Sequence, residues 1–196
     1  MLSTNGNSRH NVYVLVDGEN VDGTLSTILN RPPQSEDRPR WETVFRFAEN
    51  LWGGRSAKAM FFINVRPEAT VPWPFVQALL ACHFRPVLLT GRDGRKVVDE
   101  GIQKTLHALE AREGDVLLLS HDKDFSSALA ALGSNDDRHI GVLAFREYLA
   151  ADYTHMPNLD IFDLETDARA FQNGPLPRMR PVQIDEFDPA VLLDSL

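Results

Sequence analysis

The chain has 196 residues, 43% of them hydrophobic and 24% charged, with a formal charge of −8. That size and mix suit one globular domain with a full core. The acidic balance argues against a general polyanion-binding surface, the single cysteine Cys82 excludes an internal disulfide and a cysteine-held structural zinc, and no apolar run reaches bilayer length.

The opening MLSTNGNSRHN lacks the apolar core of a signal peptide, which makes the cytoplasm the expected compartment. In NVYVLVDGEN, residues 11–20, Val12, Val14, Leu15 and Val16 predict a buried strand that stops at Asp17-Gly18-Glu19-Asn20. Val21 to Leu29 reads as a short helix, and RPPQSEDRP, residues 31–39, as a loop. Helical spacing of Trp41, Val44, Phe45, Ala48, Leu51 and Trp52 predicts a second helix, stopped by Gly53-Gly54. Strands are predicted at residues 57–65 and 85–90, with a helix from about Phe75 to Cys82 between them. GRDGRK, residues 91–96, is a basic glycine-rich turn, and a helix follows with Val98, Ile102, Leu106 and Leu109 on one face. DVLLLS, residues 115–120, predicts a fourth strand that opens onto Asp122 and Asp124, and the next helix carries Phe125, Ala128, Leu129 and Leu132. Strands at 139–145 and 159–164 complete the alternation. Such an alternation implies crossover connections and an α/β fold with a mainly parallel sheet of five to six strands, covered on both faces.

The composition changes near Thr166, which sets an expected domain at 1–165 and a C-terminal extension at 166–196, flexible or docked. Within the extension Asp188-Pro189 is placed to cap a short helix with Val191, Leu192 and Leu196 as its apolar stripe.

The chemistry-bearing candidates sit at strand exits, the edge where open α/β sheets bind ligands. Asp17 ends the first strand; read alone, it is an ordinary turn residue. Asp122 and Asp124 can cap a helix, but capping needs one carboxylate and two are present. On a helix turning about 100° per residue, Glu100 lies opposite the Val98 and Ile102 face and is expected in solvent, while Asp99 lies at the helix edge beside the sheet. Four converging carboxylates repel one another and resist ionising unless cations neutralise them. Magnesium or manganese, hard ions that take oxygen ligands, match that donor set, and two bound dications would halve the formal charge. Asn20 and Ser120 are placed to orient ligands or water behind the first ligands. His83, His107, His121, His139 and His155 are scattered and form no zinc pattern.

VLVDGENV, KVVDEGI and LLLSHDKDFSSAL, in that order and spacing, resemble the NYN-domain family within the PIN-like nucleases, over roughly residues 11–145. The resemblance implies a three-layer Rossmann-like, PIN-type fold with the first and fourth strands adjacent. It also implies a metal-dependent endoribonuclease that hydrolyses RNA phosphodiesters. By motif position Asp17 is the first acidic ligand, Asp99 the helix-borne one, and Asp122 and Asp124 the following pair. Asn20 matches the family asparagine, and Lys96 matches the basic residue before the helix-borne acid. His121 and Lys123 depart from the smaller residues the family has there.

Arg92, Arg95, Lys96 and Lys104 gather near the Asp99 helix as candidate contacts to an RNA backbone, single-stranded or structured. Trp73 and Phe75 are candidates for base stacking, with core packing the expectation for both. Expected partners are RNA, a second copy of the chain, and a protein partner or the basic turn itself for the acidic tail; a membrane is not expected. A non-catalytic RNA- or protein-binding module on the same fold is the alternative. A haloacid-type phosphohydrolase fits poorly because Glu19 stands where its second aspartate belongs, and a receiver domain because its acidic pair follows the first strand. No GxxxxGK[ST] phosphate loop is present.

Overall fold

The apolar runs become strands because both faces of the sheet they build are covered. In β1 (Asn11–Asp17), Val12, Val14 and Val16 enter one core and Leu15 the other. β2 (Ser56–Asn64) divides Phe61 from Phe62 in the same way, and β4 (Asp115–Leu119) divides Leu117 and Leu119 from Val116 and Leu118. With β3 (Phe84–Leu89), β5 (Ile140–Ala144) and β6 (Leu159–Asp163) they form a six-stranded sheet in the order β3-β2-β1-β4-β5-β6. Every pairing is parallel. This computed structural model describes residues 11–92, 94–135, 137–178 and 184–193. The opening stretch read for a signal peptide therefore lies, apart from Asn11, outside the described residues.

Helices α1 (Gly18–Leu29), α2 (Trp41–Asn50) and α3 (Trp73–Ala81) supply Val21, Leu25, Trp41, Val44 and Leu79 to the first core. On the opposite face α4 (Val97–Leu109) and α5 (Ser126–Leu132) bury Val98, Ile102, Leu106, Leu129 and Leu132. A short helix that the sequence pattern does not signal, α6 (Ala151–Thr154), adds Tyr153 to that layer. The fold is thus an α/β sandwich of three layers, as the alternation predicts. No helix among the described residues is long and apolar enough to cross a membrane.

Three local features differ from the sequence reading. The 31–39 loop holds a 3-10 turn at Ser35–Asp37, tied down by Arg31 Nη2 donating to Asp37 at 2.9 Å. The second helix ends at Asn50, and Trp52 takes a left-handed conformation with φ 49°. Its ring nitrogen donates to Asp160 at 2.7 Å and its ring stacks on His139 at 5.3 Å, contacts that hold an otherwise disfavoured backbone.

The third concerns the boundary at 165. Leu164, Ala168, Ala170 and Phe171 belong to the first core, and Ala170 accepts a backbone hydrogen bond from Arg40 at 2.7 Å. Arg178 then donates to Glu147 and Glu165, each at 2.8 Å, and lies over the Phe145 ring. The compositional change at Thr166 therefore falls inside a packed segment. Beyond it, Asp188 accepts from the Ala190 N–H at 2.9 Å at the start of α7 (Pro189–Leu193). The side chains of Val191, Leu192 and Leu196 lie outside the described residues.

Candidate metal centre

β1 and β4 lie side by side, but the chain leaves them towards opposite halves of the sheet. That reversal opens a crevice beyond their carboxyl ends. Register places Asp17 level with Phe62 and Val16 level with Leu119, so Asp17 and Ser120 leave the sheet together.

Asp17 is 2% exposed and caps α1. One carboxylate oxygen accepts from the Asn20 N–H at 3.1 Å, the other from the Ser120 hydroxyl at 3.0 Å. Burial pushes its carboxyl up from 3.8 to about 6; the Asn20 and Ser120 bonds pull back, and the charges of Asp99 and Glu19 push further. Ser120 also accepts from the Asp122 N–H at 3.2 Å, so one hydroxyl joins the two strand exits. Ser120→Ala strands a buried carboxylate oxygen and an amide, and is expected to lower unfolding free energy by about 1–3 kcal/mol in urea titrations. A change below about 0.5 kcal/mol would show the link to be unimportant.

Asp122 caps the 3-10 turn Lys123–Phe125 by accepting from the Asp124 N–H at 3.0 Å, which sets the two carboxylates on one rim. Its carbonyl accepts a short hydrogen bond from the Tyr153 hydroxyl. Burial, then the charges of Asp122 and Asp124, raise that phenol well above its ordinary value, so it stays a donor. Asp99 arrives from the first turn of α4. Asp99, Asp122 and Asp124 each offer a carboxylate oxygen, and these lie within 4.8 Å of one another. Oxygens around a magnesium ion about 2.1 Å away span at most about 4.2 Å, so closing on one ion asks for side-chain shifts of a few tenths of an ångström. The all-oxygen donor set fits a hard dication. Asp17 is outside that group of three; it sits behind it with both oxygens engaged.

Asn20 is fastened from below. Its side-chain oxygen accepts from the His121 backbone N–H and lies 2.8 Å from His121 Nδ1. His121 Nε2 accepts from the Phe145 N–H at 2.9 Å, which assigns the ring proton to Nδ1 and makes it a donor to Asn20. Burial lowers the His121 pKa to about 4, the charge of Glu147 opposing, and the ring stacks on Phe145. The residue that departs from the NYN pattern is thus a neutral brace for Asn20. Among the scattered histidines its role is not signalled by spacing, nor is that of Tyr153.

The basic candidates divide. Lys96 Nζ lies 3.2 Å from Asp99 and 3.6 Å from Asp124, turned onto the carboxylates, which raise its pKa. Arg95 makes two bonds of 2.6 Å to Glu100 at the surface, so Glu100 faces solvent as expected but paired, and Arg95 is engaged. Arg92 and Lys104 are exposed. Trp73, expected in the core, is 57% exposed, whereas Phe75 packs edge-on against Phe61.

The chain matches no family model and no curated protein. A crystal structure of a protein of unknown function from Vibrio parahaemolyticus is similar, with a TM-score of 0.65 and 17% identity over 85% of this chain and 98% of that one. What this likeness establishes is the fold. The strand order is also that of dinucleotide-binding sheets, but Asp17-Gly18-Glu19-Asn20-Val21-Asp22 replaces the glycine-rich turn. A carboxylate at the α1 N-terminus occupies the amides a pyrophosphate would use.

The Asp17 carboxyl gives a pH signature. Its pKa in the unfolded chain is ordinary, so between 3.8 and about 6 the folded protein binds the extra proton. The group's contribution is fully present below 3.8 and lost as pH rises through about 6. His121 acts in the opposite direction: stability is lost as pH falls from 6.5 towards 4. In chelator-treated protein, Asp17→Asn should therefore gain stability relative to wild type between about pH 4 and pH 7.5. A difference that stays constant with pH would mean that Asp17 titrates normally.

Proposed function

We propose that the chain is a metal-dependent endoribonuclease of the NYN, PIN-like kind, working with magnesium or manganese. The observation that carries the reading is the meeting of Asp99, from α4, with Asp122 and Asp124, after β4, at the crevice beside β1. These three would hold a dication, with the Asp17 carboxylate behind them. A bound dication supplies a more acidic water and stabilises charge developing on phosphate oxygens. Asn20, braced through its oxygen, keeps its amide NH2 group to donate to a phosphate oxygen or water. Ser120 holds Asp17 and the Asp122 backbone in register, and Lys96 is placed to release the carboxylates and pair with phosphate. Arg92 and Lys104 remain as exposed backbone contacts, while Arg95 would first have to leave Glu100.

The purified chain with manganese or magnesium should cut RNA internally, and added chelator should stop it. Lys96 also supports a second reading. A cation already lies between Asp99 and Asp124, as in a non-catalytic binding module that needs no metal. Calorimetry separates the two: manganese binding below about 1 mM favours the enzyme, and RNA binding with neither manganese binding nor cleavage favours the module.

A further inference from the structure

We propose that the cavity beside the carboxylates binds one unpaired RNA base, preferring bases with an exocyclic amine, while the adjoining phosphate lies at Asp99, Asp122 and Asp124. The placement of the phosphate rests on the nuclease reading; the base site rests on the cavity itself. Its volume is about 720 Å³ and it opens along the carboxyl ends of β1 and β2, bordered by Gly18 and Asn64. Such a size suits a nucleoside-sized ligand.

Trp41 and Phe61 back it from the first core, and the half-buried ring of Phe75 is the planar surface left on which a base can stack. Trp73 stands exposed between Pro72 and Pro74, both on the rim. Gly18 lets backbone approach the aromatic wall: a Cβ there would lie 2.4 Å from Phe61 Cε1. The cavity and the acidic centre share the carboxyl edge of the sheet, the cavity on the α1–α3 face and Asp99 on the α4 face. Gly18 is bonded to Asp17, and Phe62 lies against Gly101, two residues beyond Asp99 on α4.

Charge decides which part of a nucleotide enters. Arg38 donates to Asp22 at 2.7 and 2.9 Å and is spent there. Glu19 and the half-buried Asn64 make no side-chain hydrogen bond among the described residues. An uncompensated carboxylate repels phosphate but accepts from an amine, while a carboxamide both donates and accepts. Cytosine, adenine and guanine carry such an amine; uracil does not. In a duplex that edge is already paired, so the strand must be single at this position.

The test uses the isotopically labelled full chain in chelator, titrated with cytidine and with uridine and followed by NMR. Cytidine should shift the Asn64 and Phe75 signals and bind at least about fivefold more tightly than uridine, roughly one hydrogen bond's worth. Asn64→Leu and Glu19→Gln should each weaken cytidine about fivefold with melting unchanged. RNA cleavage with manganese is measured alongside. Nucleoside binding without cleavage would sustain the base site and remove the nuclease. Cleavage that ignores base identity and is untouched by Asn64→Leu would overturn the base site alone. Absence of nucleoside-induced shifts at Asn64 and Phe75 would overturn it whatever the RNA assay shows.

Discussion

Asp99→Asn is expected to abolish manganese binding and to lower RNA cleavage by at least about 10³-fold, since a coordinated dication supplies several kcal/mol of charge stabilisation. Asp122→Asn should match it in cleavage, and because its side-chain oxygen still accepts from the Asp124 N–H, the cap is kept. The informative control is the metal-free melting temperature. Asp99, Asp122 and Asp124 crowd within 4.8 Å, so removing one charge from a metal-free cluster relieves repulsion, and Asp99→Asn should melt no lower than wild type. A structural Asp99, paired with Lys96 for stability alone, predicts the reverse: a lower melting temperature and unchanged metal affinity. Lys96→Ala provides the second arm. If the lysine competes with a dication for the same oxygens, its removal should tighten manganese binding while weakening RNA binding. An enzyme in which Asp99→Asn still binds manganese and cuts at the wild-type rate would end the nuclease reading.

The sheet was legible because each strand is a short apolar run with a sharp polar end, and parallel strands buried on both faces leave that signature undiluted. Predicted and observed strands agree to within a residue or so at each end; at 140–144, for instance, only the flanking His139 and Phe145 drop out. The adjacency of β1 and β4 came with the motif resemblance, since no local pattern states which strands pair. Among the acids, helical angle placed Asp99 correctly at the α4 edge. It also set Glu100 on the solvent side but did not give its partner: an arginine five residues earlier folds back onto it, and no periodicity rule covers a turn-to-helix ion pair. Long-range partners were invisible for the same reason. His121 braces Asn20 from 101 residues away, and Tyr153 reaches Asp122 from a one-turn helix too short to carry a pattern. Trp73, for which core packing is the expectation from its size and apolarity, stands instead exposed between Pro72 and Pro74.

The segment after β6 shows how composition can hide an essential element, and truncation should expose it. A chain ending at residue 165 is expected not to fold cooperatively, whereas one ending at 178 should melt like the full chain. The longer form keeps Ala168, Ala170 and Phe171 in the first core; deleting Phe171's ring alone should cost about 3–5 kcal/mol. The shorter form also loses the bonds of Glu165 to Arg178 and to the Leu176 N–H and leaves the Arg40 N–H without its Ala170 acceptor, losses of about 1–3 kcal/mol each. Together these losses approach the whole stability of about 5–15 kcal/mol typical of a domain. Residues 184–193 present Ile184, Phe187 and Leu193 at 82%, 43% and 68% exposure, so their removal takes little apolar surface out of the core. Circular dichroism melts of the two truncations decide it. A 165-residue form melting within about 3 °C of the full chain, about 1 kcal/mol for a domain of this size, would show that the turn after β6 is dispensable. Arg178→Ala in the full chain isolates the electrostatic share. Because the same arginine lies over Phe145, whose N–H holds the His121 ring, that variant should also loosen Asn20, seen as faster hydrogen exchange at the Phe145 and His121 amides.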